Sequence, residues 1–129
     1  MAASWRWHLQ GSPGFEYSGA EARQLLRHRL DWATQETWFE DGRAANLTVV
    51  TNGERAMVSL RDGEAGRAEH LIDPRESGSS GGYQLANGQV DVYADRDTVT
   101  FEAAGRAVAY FIEHATWPDD MSVEDDHSE

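Results

Sequence analysis

Residues 45–62 read "ANLTVVTNGERAMVSLRD". Leu47, Val49 and Val50 lead to Asn52-Gly53, a pair suited to a tight turn because glycine accepts positive φ without a steric cost. Beyond the turn, Ala56, Val58 and Leu60 alternate with Arg55, Met57 and Ser59. A period of two on both sides of such a turn reads as a β-hairpin with one face on a core. Downstream, "GRAEHLID" (66–73) reads as a third strand that stops before Pro74. "GGYQLA" (81–86), Asn87-Gly88 and "QVDVYA" (89–94) form a second hairpin, in which Val90 and Val92 alternate with Gln89, Asp91 and Tyr93.

Helices flank these strands. Ser18 and Glu21 have the spacing of a capping box, and Ala22, Leu25, Leu26 and Leu30 follow near one face. Near the C-terminus, Phe101, Ala104, Val108, Phe111, Ile112 and Ala115 recur at steps of three and four. Thr100 is the expected N-cap and Pro118 the stop, while Gly105 is a weak point if exposed. Between the first helix and the first hairpin, "TQETWFEDGR" (34–43) reads as irregular, with Trp38 and Phe39 among acids. "DMSVED" (120–125) can form a short last strand, and residues 119–129 are an acidic tail expected to fray. The expected fold is α+β: one domain, 1–129, with a mostly antiparallel sheet of four to six strands and two main helices packed on it.

Composition narrows the function. The chain has no cysteine, hence no disulfide, thiolate metal site or cysteine nucleophile. Its formal net charge is −12, and every basic residue other than histidine is arginine. Such a field repels nucleic acid and anionic lipid and attracts basic partners, although acidity also serves solubility. No apolar run reaches the roughly 20 residues of a membrane span, and the first residues lack the basic-then-apolar order of a signal peptide. The chain is expected to start near Met1 and to stay in the cytoplasm.

Catalytic chemistry is sparsely represented. His8, His28, His70, His114 and His127 show no metal-ligand spacing, and each reads as a surface or half-buried histidine. "GSSGG" (78–82) lacks the Gly-Lys-Ser/Thr ending of a phosphate loop and reads as a flexible loop. Asp73, Glu76 and Asp91 could converge around it, but carboxylate pairs arise by chance among 23 acids. No catalytic residue, metal or cofactor is assigned. Five tryptophans are many for this length; Trp38 and Trp117, beside acids, are candidates for partly exposed anchors. A binding protein with an acidic face fits better than an enzyme.

The C-terminal half, "ESGSSGG", "YQL", "NGQVDVYADRDTVT", "FEAAGRAVAYFIEHA" and "TWPDDMSV", resembles the first-numbered Imm family of bacterial immunity proteins, from polymorphic toxin and contact-dependent systems. The family's small-residue loop maps to Ser77–Gly82, its hairpin to Tyr83–Tyr93, its valine-led last helix to Val99–Ala115, and its Thr-x-x-Pro exit to Thr116–Pro118. Here the threonine and proline are separated by Trp117 alone, and Val123 stands where members often place tryptophan. The resemblance covers 56–123. It implies a cytoplasmic antidote, monomeric in a 1:1 complex, that blocks the basic cleft of a cognate toxin domain, a deaminase (zinc-dependent ones included) or a nuclease. Asp73, Glu76, Ser77 and Tyr83 around the loop, and Asp91 and Tyr93 on the hairpin, are the expected toxin contacts; Trp38, Glu40 and Asp41 come second. The competing readings are an adaptor or chaperone for a secreted effector and a small carboxylate-dependent hydrolase.

Overall fold

A computed structural model of the chain describes residues 7–31 and 35–126; Trp5, Trp32 and residues 127–129 of the tail lie outside them. The strands are β1 (Trp7–Leu9), β2 (Ser12–Tyr17), β3 (Glu36–Glu40), β4 (Ala45–Thr51), β5 (Arg55–Asp62), β6 (Arg67–Ile72), β7 (Ser79–Gln84), β8 (Val90–Ala94), β9 (Val99–Thr100) and β10 (Ser122–Asp125). The helices are α1 (Gly19–His28) and α2 (Phe101–His114), with short 3-10 turns at Arg29–Asp31 and Asp95–Asp97. The main sheet runs β10-β6-β5-β4-β3-β1-β2, with β9 also paired to β5, and every pairing is antiparallel. Strands β7 and β8 form a separate two-stranded ribbon. The class is α+β as expected, with more strands than four to six. No described helix is long and apolar enough to cross a membrane.

Register sorts the side chains into faces, because directly paired residues point the same way. Phe39, Leu47 and Leu60 form one row of the inner face, and Val49 and Val58 belong to another. These residues, with Trp7 and Leu71, meet Ala22 and Leu26 of α1 and Ala104, Ala107, Val108, Phe111 and Ile112 of α2. Trp117 joins them: it is only 8% exposed, its ring lies 4.6 Å from that of Phe111, and its indole N–H donates to Glu69 at 2.7 Å. The part-exposed anchor expected there is a core residue.

Both helices begin as their sequences dictate. Ser18 Oγ accepts from the Glu21 amide, and Glu21 Oε1 accepts from that of Ser18. Thr100 Oγ1 accepts from the Ala103 amide. The helices run antiparallel. Gly19 lies so close to the Ala109 carbonyl that a Cβ there would collide with it, and the Gly19 amide donates to Glu113 Oε2 at 2.6 Å. At the other end, Arg23 and Arg27 pair with Glu102. Gly105 is buried and faces Arg23, so it serves close packing between the helices and is not an exposed weak point.

Three expectations change. The segment read as irregular contains β3: Thr37 and Phe39 are buried while Glu36, Trp38 and Glu40 are half-buried. The Ser/Gly run read as a loop is mostly strand, with a bulge between Ser80 and Tyr83 where Gly82 takes a φ of 83°. The acidic tail is held through Asp126: β10 pairs with β6, and the Asp126 amide donates to the Ala68 carbonyl at 2.7 Å.

Candidate functional site

The face of the sheet away from the helices carries a row formed by Trp38, Thr48, Ser59, His70 and Glu124, one residue from each of five adjacent strands. The β7–β8 ribbon is tied onto this side at several points. The Gln35 amide donates to the Gln84 carbonyl, the Ala86 amide to Glu36 Oε1, and Asn52 Nδ2 to the Gly81 carbonyl. At its base, Ser80 Oγ donates to Asp95 at 2.6 Å.

Arg55 holds that base. Its guanidinium donates to Thr98 Oγ1 at 2.7 Å, to the Thr98 and Asp95 carbonyls, and to Asp73 Oδ2 at 3.3 Å. Asp73, an expected toxin contact, is therefore half-buried and engaged inside the protein. Glu76 and Ser77, on the turn after it, are exposed. Asp91 stands opposite Tyr83, far along the ribbon from the Gly78–Asp95 bond at its base, while Glu76 lies before β7 begins. Asp73, Glu76 and Asp91 do not converge.

Tyr83 is fully buried, with its ring 4.6 Å from that of Tyr93, and cannot be a contact. It fills the underside of the ribbon, where the small residues before it allow close approach. Tyr93 is half-buried, and its hydroxyl donates to Asp91 Oδ2 at 3.0 Å. Burial and then the Asp91 carboxylate push the Tyr93 phenol up to about 12, so it stays protonated as a donor. Trp38 is half-buried and donates through its indole N–H to Glu36 Oε2. Glu40 lies beside His8 at 3.6 Å. Asp41 is buried; its Oδ1 accepts from the Arg43 and Ala45 amides, which makes it a turn residue and no contact.

The underside of the ribbon is thus polar and aromatic, and its valines face outward: Val90 is 57% exposed and Val92 is 66% exposed. The alternation of Val90-Asp91-Val92-Tyr93 was legible in the sequence, and the half-buried, inward-facing set is the one that contains Asp91 and Tyr93. Glu76 and Ser77 are exposed on the turn before the ribbon, whereas Asp91 and Tyr93 lie on the side of β8 opposite the valine pair and Trp38 is half-buried on the outer face of the sheet.

Beside the ribbon lies a cleft of about 260 Å³ lined by Met57, Ser59, Arg61, His70, Tyr93 and Asp97, with Asp126 at its edge. His70 Nε2 lies 3.0 Å from Asp97 and Nδ1 lies 2.7 Å from Asp126. Burial pulls the imidazole down, but the bonds to the two carboxylates outweigh it and raise its pKa above the ordinary value of 6.5. With both nitrogens bound to carboxylates, none is left to activate Ser59. His70, Asp97 and Glu124 also offer oxygen and nitrogen atoms within 4.8 Å of one another. Their charge is matched internally, because Glu124 accepts from Arg96 at 2.7 Å. A larger cleft, about 440 Å³, lies between the β6–β7 turn and α2. Of its charged residues, Arg106 pairs with Asp120, Asp73 with Arg55, and Arg75 is exposed; no histidine lines it.

Clustering of His70 with Asp97 and Asp126, and of Arg55 with Asp73, Asp95 and Thr98, was beyond sequence reading, since each joins residues far apart in the chain. No protein-family model matches this chain, and a search of curated proteins finds no match either.

Proposed function

We propose that the chain is an immunity protein, which binds a cognate bacterial toxin domain in the cytoplasm and blocks its active-site cleft. The observation that carries this reading is the ribbon: two neighbouring valines more than half exposed, flanked by carboxylates, on a protein of net charge −12. Apolar centres with polar rims are what protein interfaces use. Toxins that act on nucleic acid carry basic clefts for a polyanion, which an acidic surface can fill. The resemblance of residues 56–123 to the first-numbered Imm family points the same way.

In this reading Glu76 and Asp91 steer the encounter, while Val90 and Val92 supply the contact that water leaves. The complex is 1:1 and buries an interface of roughly 1,600 Å² or more. For a zinc deaminase, occluding the base pocket or the strand channel suffices, since the target base must enter it. The test is co-expression with a toxin domain encoded in the neighbouring reading frame, followed by size exclusion and a growth assay. A stable 1:1 complex and restored growth support immunity. A stable complex with the toxin still active favours an escort role instead.

A further inference from the structure

The geometry points to the outer edge of β8 as a docking site for one extended strand of a basic partner, added by backbone hydrogen bonds. This deepens the immunity reading and rests on it for the identity of the partner.

The phase of the β7–β8 ladder is set at both ends. The Leu85 amide donates to the Gln89 carbonyl at 2.8 Å, and the Asp95 amide donates to the Gly78 carbonyl at 3.0 Å. Gln89 and Asp95 therefore turn toward β7. The bulge between them falls on β7, so β8 keeps its regular alternation. Alternate residues of an antiparallel strand direct their amides to opposite sides. The N–H and C=O groups of Val90, Val92 and Ala94 thus point away from β7, where no described strand pairs with them.

The two end strands of the main sheet are guarded and this edge is not. In the main sheet, β2 carries Pro13 and Gly14, and β10 carries Glu124 and Asp125. Proline and charge are how proteins blunt an edge. In β8 the sole charge, Asp91, is turned inward to Tyr93 and Gln89, and the sequence Val-Asp-Val-Tyr-Ala holds no proline. Val90, Val92 and Ala94 are all exposed on the outward face. Such an edge presents backbone groups for pairing and an apolar strip for alternate side chains, as in strand-addition complexes.

Charge selects the occupant. From Glu76 to Asp95 the chain has three carboxylates and no cation; Arg55 matches Asp95, which leaves Asp91 on β8, and Glu36 is tied to the ribbon turn through Ala86. A second copy would set −12 against −12. A strand that alternates apolar side chains with lysine or arginine meets both the valines and the acids.

Amide hydrogen exchange tests the proposal in two arms. In the first, the protein is measured alone and in complex with the neighbouring toxin domain. The amides of Val90, Val92 and Ala94 should exchange rapidly in the free protein and slow by about tenfold or more in the complex. Val92→Pro, which removes an outward amide and leaves the ladder to β7 intact, should weaken the complex roughly 10- to 100-fold, whereas Val92→Thr should weaken it far less. A stable complex with those amides still fast overturns the strand-addition proposal and leaves the immunity reading standing. In the second arm the probe is a synthetic peptide of alternating valine and lysine at millimolar concentration, against the same peptide N-methylated at alternate amides. Slowing of the three amides by the first peptide only supports the edge even where no toxin complex forms. Absence of that slowing together with absence of a complex sinks it, and protection that grows with the concentration of the protein alone assigns the edge to a second copy.

Discussion

Arg55 illustrates how a single side chain can join parts of the fold that lie far apart in the chain. Its guanidinium reaches Asp73 at the end of β6, and Thr98 and the Asp95 carbonyl after β8. Arg55→Met leaves those carboxylate and carbonyl groups without their donor, and should cost roughly 3 kcal/mol of stability, read by urea denaturation. Ala115 is the opposite case. It ends α2 in the left-handed region with a φ of 61°, the only non-glycine residue to do so among those described. Ala115→Gly should stabilise the fold by about 1 kcal/mol, seen as a raised melting temperature.

His70 supplies a pH dependence. Its folded pKa lies above the ordinary 6.5, so protonation favours the folded state. The contribution is complete below pH 6.5 and is lost as pH rises through the folded value. Around it, Asp97 and Asp126 hold the ring; Arg96 pairs with Glu124 and lies 3.5 Å from Asp97, and Arg61 and Tyr93 share the cleft. Wild type should therefore lose stability relative to His70→Gln as the pH of denaturation is raised from 5.5 to 8.5. A constant difference between the two across that range would contradict the two-carboxylate clasp.

At the scale of elements, the hairpin of β4 and β5, strand β6, the second hairpin and both helices could be read from period and caps. Strand β3 could not, because Trp38 sits on the outer face next to the core residue Phe39 and hides the alternation. Strand β1 has only three residues, and β2 contains Pro13 and Gly14, which lower β-propensity. The N-terminal end of the ribbon was hidden by its serines and glycines, since a strand laid against another surface can be built of small residues without looking like one. Helix packing was hidden for a related reason: Gly19 and Gly105 look like breakers, and they are contact points between α1 and α2. Gly19→Ala should destabilise by roughly 1–3 kcal/mol through its collision with Ala109. Gly105→Ala should cost less, because the atoms it meets belong to the flexible side chain of Arg23.

At the scale of the molecule, charge was legible from composition, and its placement was not. Of the nine residues expected to touch a toxin, Tyr83 and Asp41 are buried and Asp73 is engaged by Arg55, because tyrosine and aspartate in turns serve folding as readily as binding. The alternation of the valines with Asp91 and Tyr93 does not say which set faces water. The exposure of the valines is what gives the proposed surface an apolar centre. If acidity steers the encounter, added salt should slow association with the toxin domain and leave dissociation nearly unchanged, as stopped-flow mixing would show. The most direct measurement is the activity of the purified neighbouring toxin domain titrated with this protein. The immunity reading requires activity to fall linearly to zero at one equivalent; the strand-addition proposal adds that Val92→Pro shifts that titration to excess inhibitor. Full toxin activity at a tenfold excess of the folded protein would contradict it.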